Sequence, residues 1–215
     1  MMKPCRMIAV LGAALLVLAA AGCGTSAGTT TSATSANGTS TSATTTPQAT
    51  VTADEYAVYS ALIQSVYIAK SKQIVITPVH DNDYFFGQAV GAMESNPYWS
   101  NLGNAVDDFK AKNRTSSVLE RRFTISIPYT IVSEQEMASI FSTNVVSDWK
   151  RFYAKYPHVD AFLALSRVGF NQGKDTAVLY TEYQVGAAGG EGYVVLMRKT
   201  DGRWTVDQNS MCWIS

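Results

Sequence analysis

The sequence predicts an α+β fold, an antiparallel β-meander covered on one face by helices. Three observations predict it. From Phe162 to Val206 the residues alternate with period 2: Ala177, Leu179, Thr181, Tyr183 and Val185 share one face, and Val178, Tyr180, Glu182 and Gln184 the other. Turn residues punctuate the same region at Asn171-Gln172-Gly173-Lys174, at the glycine-rich Gly186–Gly190 and at Thr200-Asp201-Gly202-Arg203. Asp-Gly tolerates the positive φ of a tight hairpin, which makes the last of these the strongest hairpin signal in the chain. Ahead of the meander, apolar residues recur at helical spacing behind capping residues, giving the order helix, strand, helix, strand, two helices, four strands.

The elements follow in order. Thr52-Ala53-Asp54-Glu55 reads as a capping box, and Tyr56, Tyr59, Ile63, Val66 and Tyr67 form a helical stripe that fades near Lys70–Lys72. Ile74-Val75-Ile76-Thr77 is β-branched and predicts a strand closed by Pro78. His80 to Gly87 reads as a loop. Asn96 as N-cap and Pro97 at the first position predict a second helix to Lys112, with Trp99, Leu102, Val106 and Phe109 on one stripe. Arg122–Val132 alternates cleanly and predicts a strand, which Pro128 confines to an edge or a bulge. Ser133-Glu134-Gln135-Glu136 is a second capping box, with Val132 and Met137 placed as a hydrophobic staple. Ser147–Tyr156 predicts a helix with Trp149, Phe152, Tyr153 and Tyr156 at i, i+3, i+4 and i+7, ended by Pro157. Met211-Cys212-Trp213 reads as a final core strand, which makes Cys212 a buried, inert thiol.

Three segments divide the chain. In residues 1–22, Lys3 and Arg6 precede an uncharged apolar run of 14 residues, Ile8–Ala21. That is shorter than the about 20 residues a bilayer span needs. The run ends in Ala20-Ala21-Gly22-Cys23, which resembles the lipobox of bacterial lipoproteins; the resemblance implies cleavage before Cys23 and lipidation of that cysteine. Residues 24–50 contain no charge and no aromatic, and 16 of the 27 are Ser or Thr. Such a segment cannot bury enough apolar surface to offset its ordering entropy, so a disordered tether of roughly 30 Å is expected. Residues 51–215 hold all the aromatic residues and are expected to fold as one domain.

Charge excludes one class of partner. Without Lys3 and Arg6 the chain keeps 15 basic residues against 17 acidic, and the basic ones are scattered, so no nucleic-acid footprint is present. Catalytic and metal signals are sparse. His80, Asp81 and Asp83 are the metal candidates, but a calcium loop counted from Asp81 would place Phe85 and Phe86 at its fifth and sixth positions. Zinc would require more His or Cys nearby than this region holds. A polar turn is therefore the expected reading, and no cofactor is called for. There is no GxSxG elbow and no phosphate-cradling loop. Among the aromatics, Tyr84, Phe85 and Tyr98 are the binding candidates for a sugar or peptide, whereas the spacing of Trp99 with Leu102 and Phe109 places it in the core.

From Val145 onward the chain resembles a family of exported bacterial proteins and lipoproteins without an established activity. The residues that carry the resemblance are Trp149–Pro157, Ser166–Asn171, Gly190-Glu191-Gly192, Lys199–Val206 and Trp213-Ile214-Ser215. The cysteine pair found in the glycine-rich turn of many members is missing here, so no disulfide or redox role carries over. The Asp201–Val206 hairpin is also similar to the last hairpin of cystatin-like and NTF2-like folds. The expectation is a lipid-anchored module of the bacterial cell membrane or outer membrane that binds an envelope protein or glycan. The alternative is an envelope hydrolase whose acid and base meet only in the fold.

Overall fold

The computed structural model of the chain describes residues 49–79 and 83–215. The expected signal peptide, Cys23 and most of the tether lie outside the described residues, as do His80, Asp81 and Asn82. The compact unit runs Pro47–Ser215. Its elements are β1 (Ala49–Thr50), α1 (Ala53–Leu62, continued by a π-helical turn Ile63–Tyr67), β2 (Ile74–Pro78), α2 (Tyr84–Ser95), α3 (Pro97–Ser100), α4 (Asn104–Lys112), β3 (Ser117–Val118), β4 (Tyr129–Ile131), α5 (Glu134–Ile140), α6 (Val145–Lys155), β5 (Ala161–Leu165), β6 (Gly169–Phe170), β7 (Thr176–Gln184), β8 (Gly190–Thr200) and β9 (Arg203–Ile214). The main sheet has the order β4-β2-β5-β7-β8-β9, with β6 beside β7; β1 and β3 form a separate small pair.

The α+β class and the meander β5-β7-β8-β9 are as the alternation predicts, with antiparallel pairing at each step. The Asp201-Gly202 turn takes positive φ at both residues, 51° and 78°, as a tight hairpin requires. Two features differ from expectation. The sheet is mixed, because β2 runs parallel to both β4 and β5. It also carries helices on both faces. Ile74, Ile76, Leu163, Leu179 and Val195 pack against α1, while Val75, Phe162, Ala164, Val178 and Leu196 pack against α2 to α6. Central strands buried on both sides are near-continuous apolar runs, so their alternation does not tell how many faces are covered.

Local corrections have local causes. The 84–95 segment, expected to begin as loop, is a helix. Phe86, Ala89 and Met93 form its buried stripe, a signal masked by Gly87 and Gly91. The expected helix from Pro97 to Lys112 breaks into α3 and α4 at Gly103, whose φ is 46°. Only Tyr129–Ile131 of the expected strand Arg122–Val132 pairs in the sheet, at its edge. The preceding residues keep their alternating burial but are held by α1: Tyr56 Oη accepts from Glu120 N, Ser60 Oγ from Thr124 N (2.9 Å) and Gln64 Oε1 from Ser126 N (3.1 Å). Acceptors one helical turn apart stand in for a neighbouring strand. The last strand, β9, is an edge strand rather than a core one, and Met211 on it is half exposed. Cys212 is partly buried, and burial pushes its thiol up to about 11, which suits an inert thiol.

The stretch Ser166–Asn171 joins the two cores. Ser166 accepts Tyr59 Oη on its carbonyl (2.7 Å), and its Oγ accepts Tyr180 N (2.8 Å). Arg167 donates twice to Glu55, Nε to Oε1 at 2.6 Å and Nη2 to Oε2 at 2.9 Å, and both residues are buried. Thr52 N and Val168 N also donate to Glu55 (2.8 and 3.1 Å). Gly169 lies against α4 so closely that a Cβ would sit 2.2 Å from Ala105 O, which excludes any larger residue there.

Candidate functional site

The described residues bring acid chemistry and aromatic surface together at one end of the sheet. Asp83 caps α2: its Oδ1 accepts the N–H groups of Phe85 (2.8 Å) and Phe86 (3.1 Å). Phe86 is buried, stacked on Phe109 with ring centroids 5.3 Å apart and edge-on to Tyr180 at 5.8 Å. That anchor sets the first turn of α2 over β7, where the charge of Asp83 bears on Glu182.

Glu182 is 3% exposed. The register places Thr77, Ala164, Glu182, Gly192 and Trp213 in one row across five strands. The small Ala164 and Gly192 leave room on either side of the glutamate. Tyr180 Oη donates to Glu182 Oε1 (2.9 Å), and Gln184 Nε2 donates to Oε2 (3.0 Å). Burial first, and then the charge of Asp83, push the Glu182 carboxyl up to about 8; the Tyr180 and Gln184 donors do not offset this. At neutral pH Glu182 therefore holds a proton.

Trp213 closes the row. A register shift at Gly192/Tyr193 leaves Cys212 without a partner on β8 and turns both Cys212 and Trp213 toward the α2 side. The indole lies flat on Gly192, where a Cβ would fall 2.1 Å from Nε1. Trp213 Nε1 donates to Tyr180 Oη (2.7 Å), which completes a hydrogen-bonded chain Trp213–Tyr180–Glu182. On its outer face Trp213 stacks with Phe85 at 4.4 Å, and Phe85 meets Tyr84 edge-on at 5.4 Å. Tyr84 is 67% exposed, so the three rings make an aromatic strip running from the acid pair to the surface.

The sequence candidates divide accordingly. Tyr84, Phe85 and Asp83 meet here. Tyr98 does not join them; it packs edge-on against Trp99, which is in the core as its spacing predicts. His80 and Asp81 lie outside the described residues, among which no group of three or more His, Cys, Asp and Glu is placed to hold a metal ion. Glu182 and Trp213 were not legible as site residues: Glu182 is one position in an alternating strand, and only the bulge at Cys212 aims Trp213 inward. Two shallow surface depressions lie elsewhere. One of about 390 Å³ is lined by Asp54, Asp108, Lys112, Phe170 and Lys174, whose charges pair with each other, and the other runs along Ala53, Ala57 and Ala61 of α1.

The raised acid has a consequence for stability. The folded state holds a proton that the unfolded state, with a glutamate near about 4.3, has released. Between that value and about 8 the folded state binds more protons, so stability falls as pH rises, with a slope approaching about 1.4 kcal/mol per pH unit. Denaturant unfolding from pH 5 to 9 should show this decline in the wild type and a flatter profile in Glu182→Gln; parallel profiles would remove Glu182 as its source.

No known protein family matches the chain, and no curated protein matches it. Among the described residues no helix is long and apolar enough to cross a membrane.

Proposed function

We propose that this chain is an exported, lipid-anchored lipoprotein of the bacterial cell envelope, and that its folded domain is a non-enzymatic module binding an envelope protein or glycan. The observation that carries the binding reading is the position of the strip Tyr84–Phe85–Trp213. The chain reaches α1 at Thr52, beside Lys174 and the β6–β7 turn, whereas the strip lies at the opposite end of β7, a strand of nine residues or about 30 Å. Tyr84, 67% exposed, brings the strip to the surface. Stacked aromatics with hydrogen-bonding neighbours suit sugar rings and peptide side chains alike.

The anchor rests on the run Ile8–Ala21 ending at Gly22-Cys23. Cys23→Ala should release the protein from the membrane fraction and abolish incorporation of a radiolabelled fatty acid; unchanged fractionation and labelling would refute the lipoprotein reading. For the binding reading, Tyr84→Ala and Trp213→Ala should each reduce retention of the protein on isolated cell-wall material or envelope extracts by about tenfold or more, about 1.4 kcal/mol, with folding retained. Retention equal to wild type in both would move recognition away from this end.

The hydrolase alternative draws on the convergent carboxyls of Asp83 and Glu182, a pair that sequence alone could not reveal. It stands second because Glu182 is buried and neither depression reaches it.

A further inference from the structure

Lys70 sits in a cage of two tyrosine rings and a carboxylate. The π-helical turn Ile63–Tyr67, in which Ile68 N donates to Ile63 O (3.1 Å), brings Tyr67 onto Tyr183 of β7, and the two rings stack with centroids 5.5 Å apart. The Lys70 ammonium lies over both, 5.5 Å from the Tyr67 centroid and 5.4 Å from that of Tyr183, close enough for each ring face to attract it. It also pairs with Glu191 of β8. The rest of the cage is held without the Lys70 side chain. Tyr67 Oη shares a hydrogen bond with Thr181 Oγ1 (3.4 Å), and Tyr193 Oη donates to Glu191 Oε2 (3.1 Å). Tyr183 Oη donates to the Lys70 carbonyl (3.2 Å) and is bonded to Ser71 Oγ (2.7 Å).

Both rings are buried and the Glu191 side chain is 19% exposed, whereas the Lys70 side chain is 38% exposed and stands on the turn that follows the helix. The cage is fixed and its occupant is movable. A carboxylate at that depth is costly without a cation, so when Lys70 swings out the ring faces and Glu191 attract another ammonium. Because the rings lie below the surface, that ammonium must arrive on a long, slender stem. A lysine side chain has one; an amino group borne directly on a sugar ring does not. The register pairs Glu191 with exposed Ile214 and Gly192 with Trp213, so the cage lies one residue from the aromatic strip, on the opposite face of the sheet. We propose that Tyr67, Tyr183 and Glu191 form a site for a lysine side chain of a protein partner, with Lys70 as the intramolecular occupant that the partner's lysine displaces. The choice of protein over glycan deepens the proposed binding role and rests on it; the cation site itself does not.

The test titrates the full chain in detergent micelles with n-butylammonium, the amine of a lysine side chain, and with n-butanol as its uncharged counterpart, following the Tyr67 and Tyr183 ring resonances by NMR. Lys70 competes in the wild type, and an occupant that fills a site nine-tenths of the time weakens apparent affinity about tenfold. Lys70→Ala should therefore bind n-butylammonium about tenfold more tightly than the wild type does, and more tightly than it binds n-butanol. Adding Glu191→Gln to Lys70→Ala should abolish the preference for the amine. No gain in Lys70→Ala, or equal binding of amine and alcohol, overturns the site. If Lys70→Ala does not fold, Lys70→Gln replaces it, with the same expected gain and the same overturning result. Retention on envelope extracts is measured separately, and Lys70→Ala should be retained more strongly than the wild type. A gain in amine binding with no retention of either protein refutes the binding role and leaves the cation site, whereas retention without that gain does the reverse.

Discussion

Trp149→Ala should destabilise the domain by about 3–5 kcal/mol, the usual cost of emptying a large buried aromatic site. Trp149 is 4% exposed and sits where α6 meets the sheet. Its ring stacks on Phe162 of β5 at 5.5 Å and 16°, and meets Phe141 and Phe152 at 5.2 Å each. Removing the indole strips these three rings of a common partner, and the fixed strand and helix cannot close the gap. Against a total of about 5–15 kcal/mol for a single domain, the variant should be marginal, with poor yield and a sharply lowered denaturant midpoint. Lys150→Ala, on the exposed side of α6, should leave the midpoint within about 0.5 kcal/mol of wild type. A stable Trp149→Ala domain that no longer binds its partner would instead make this helix an interaction surface. The aromatic stripe is not uniform: Trp149 and Phe152 are buried, Tyr153 is at the rim, and Tyr156 donates to Glu136.

Arg167→Ala should cost a similar amount, about 3–5 kcal/mol, for a different reason: it leaves the buried carboxylate of Glu55 without its partner. Burial pushes the Glu55 carboxyl up, but the two Arg167 bonds and the Thr52 and Val168 N–H groups outweigh it and hold the group below the usual carboxylate range. A depressed acid stabilises the fold above its unfolded value, and that contribution is lost as pH falls through the folded one. The wild type should therefore weaken at acid pH through Glu55, and Arg167→Ala should lose most of that dependence. Arg167→Lys should not rescue, because a single ammonium cannot reproduce the two-pronged contact. Urea unfolding at pH 7 and pH 3 measures both effects. A midpoint within about 0.5 kcal/mol of wild type at pH 7 would show that the pair is dispensable.

Much of this protein is written locally. The Thr52 capping box forms with both of its hydrogen bonds, Ser133 caps α5, and the Asp201-Gly202 hairpin closes as its dihedral freedom requires. These features involve residues within four positions of one another, so local spacing suffices to find them. Several residues of the C-terminal region make contacts that span the fold: Arg167 pairs with Glu55, Gly169 admits α4, Gly192 seats Trp213, and Trp149 covers Phe162.

What local spacing cannot carry is which face a doubly apolar strand presents and what lies above it. Glu136 shows this on a small scale: the predicted capping box has it reach back to Ser133, but Lys155 and Tyr156 of the next helix hold its carboxylate instead. The acid pair shows it on a larger one. Asp83 and Glu182 are about a hundred positions apart, and nothing near either marks it as a partner of the other. Alternation, caps and turns determined the meander and the starts of α1 and α5. Tertiary packing alone decided the second helical layer, the helical rather than looped state of Tyr84–Gly87, and the burial of Glu182 beneath an aromatic strip, because each depends on surfaces that come together only when distant segments are buried against one another.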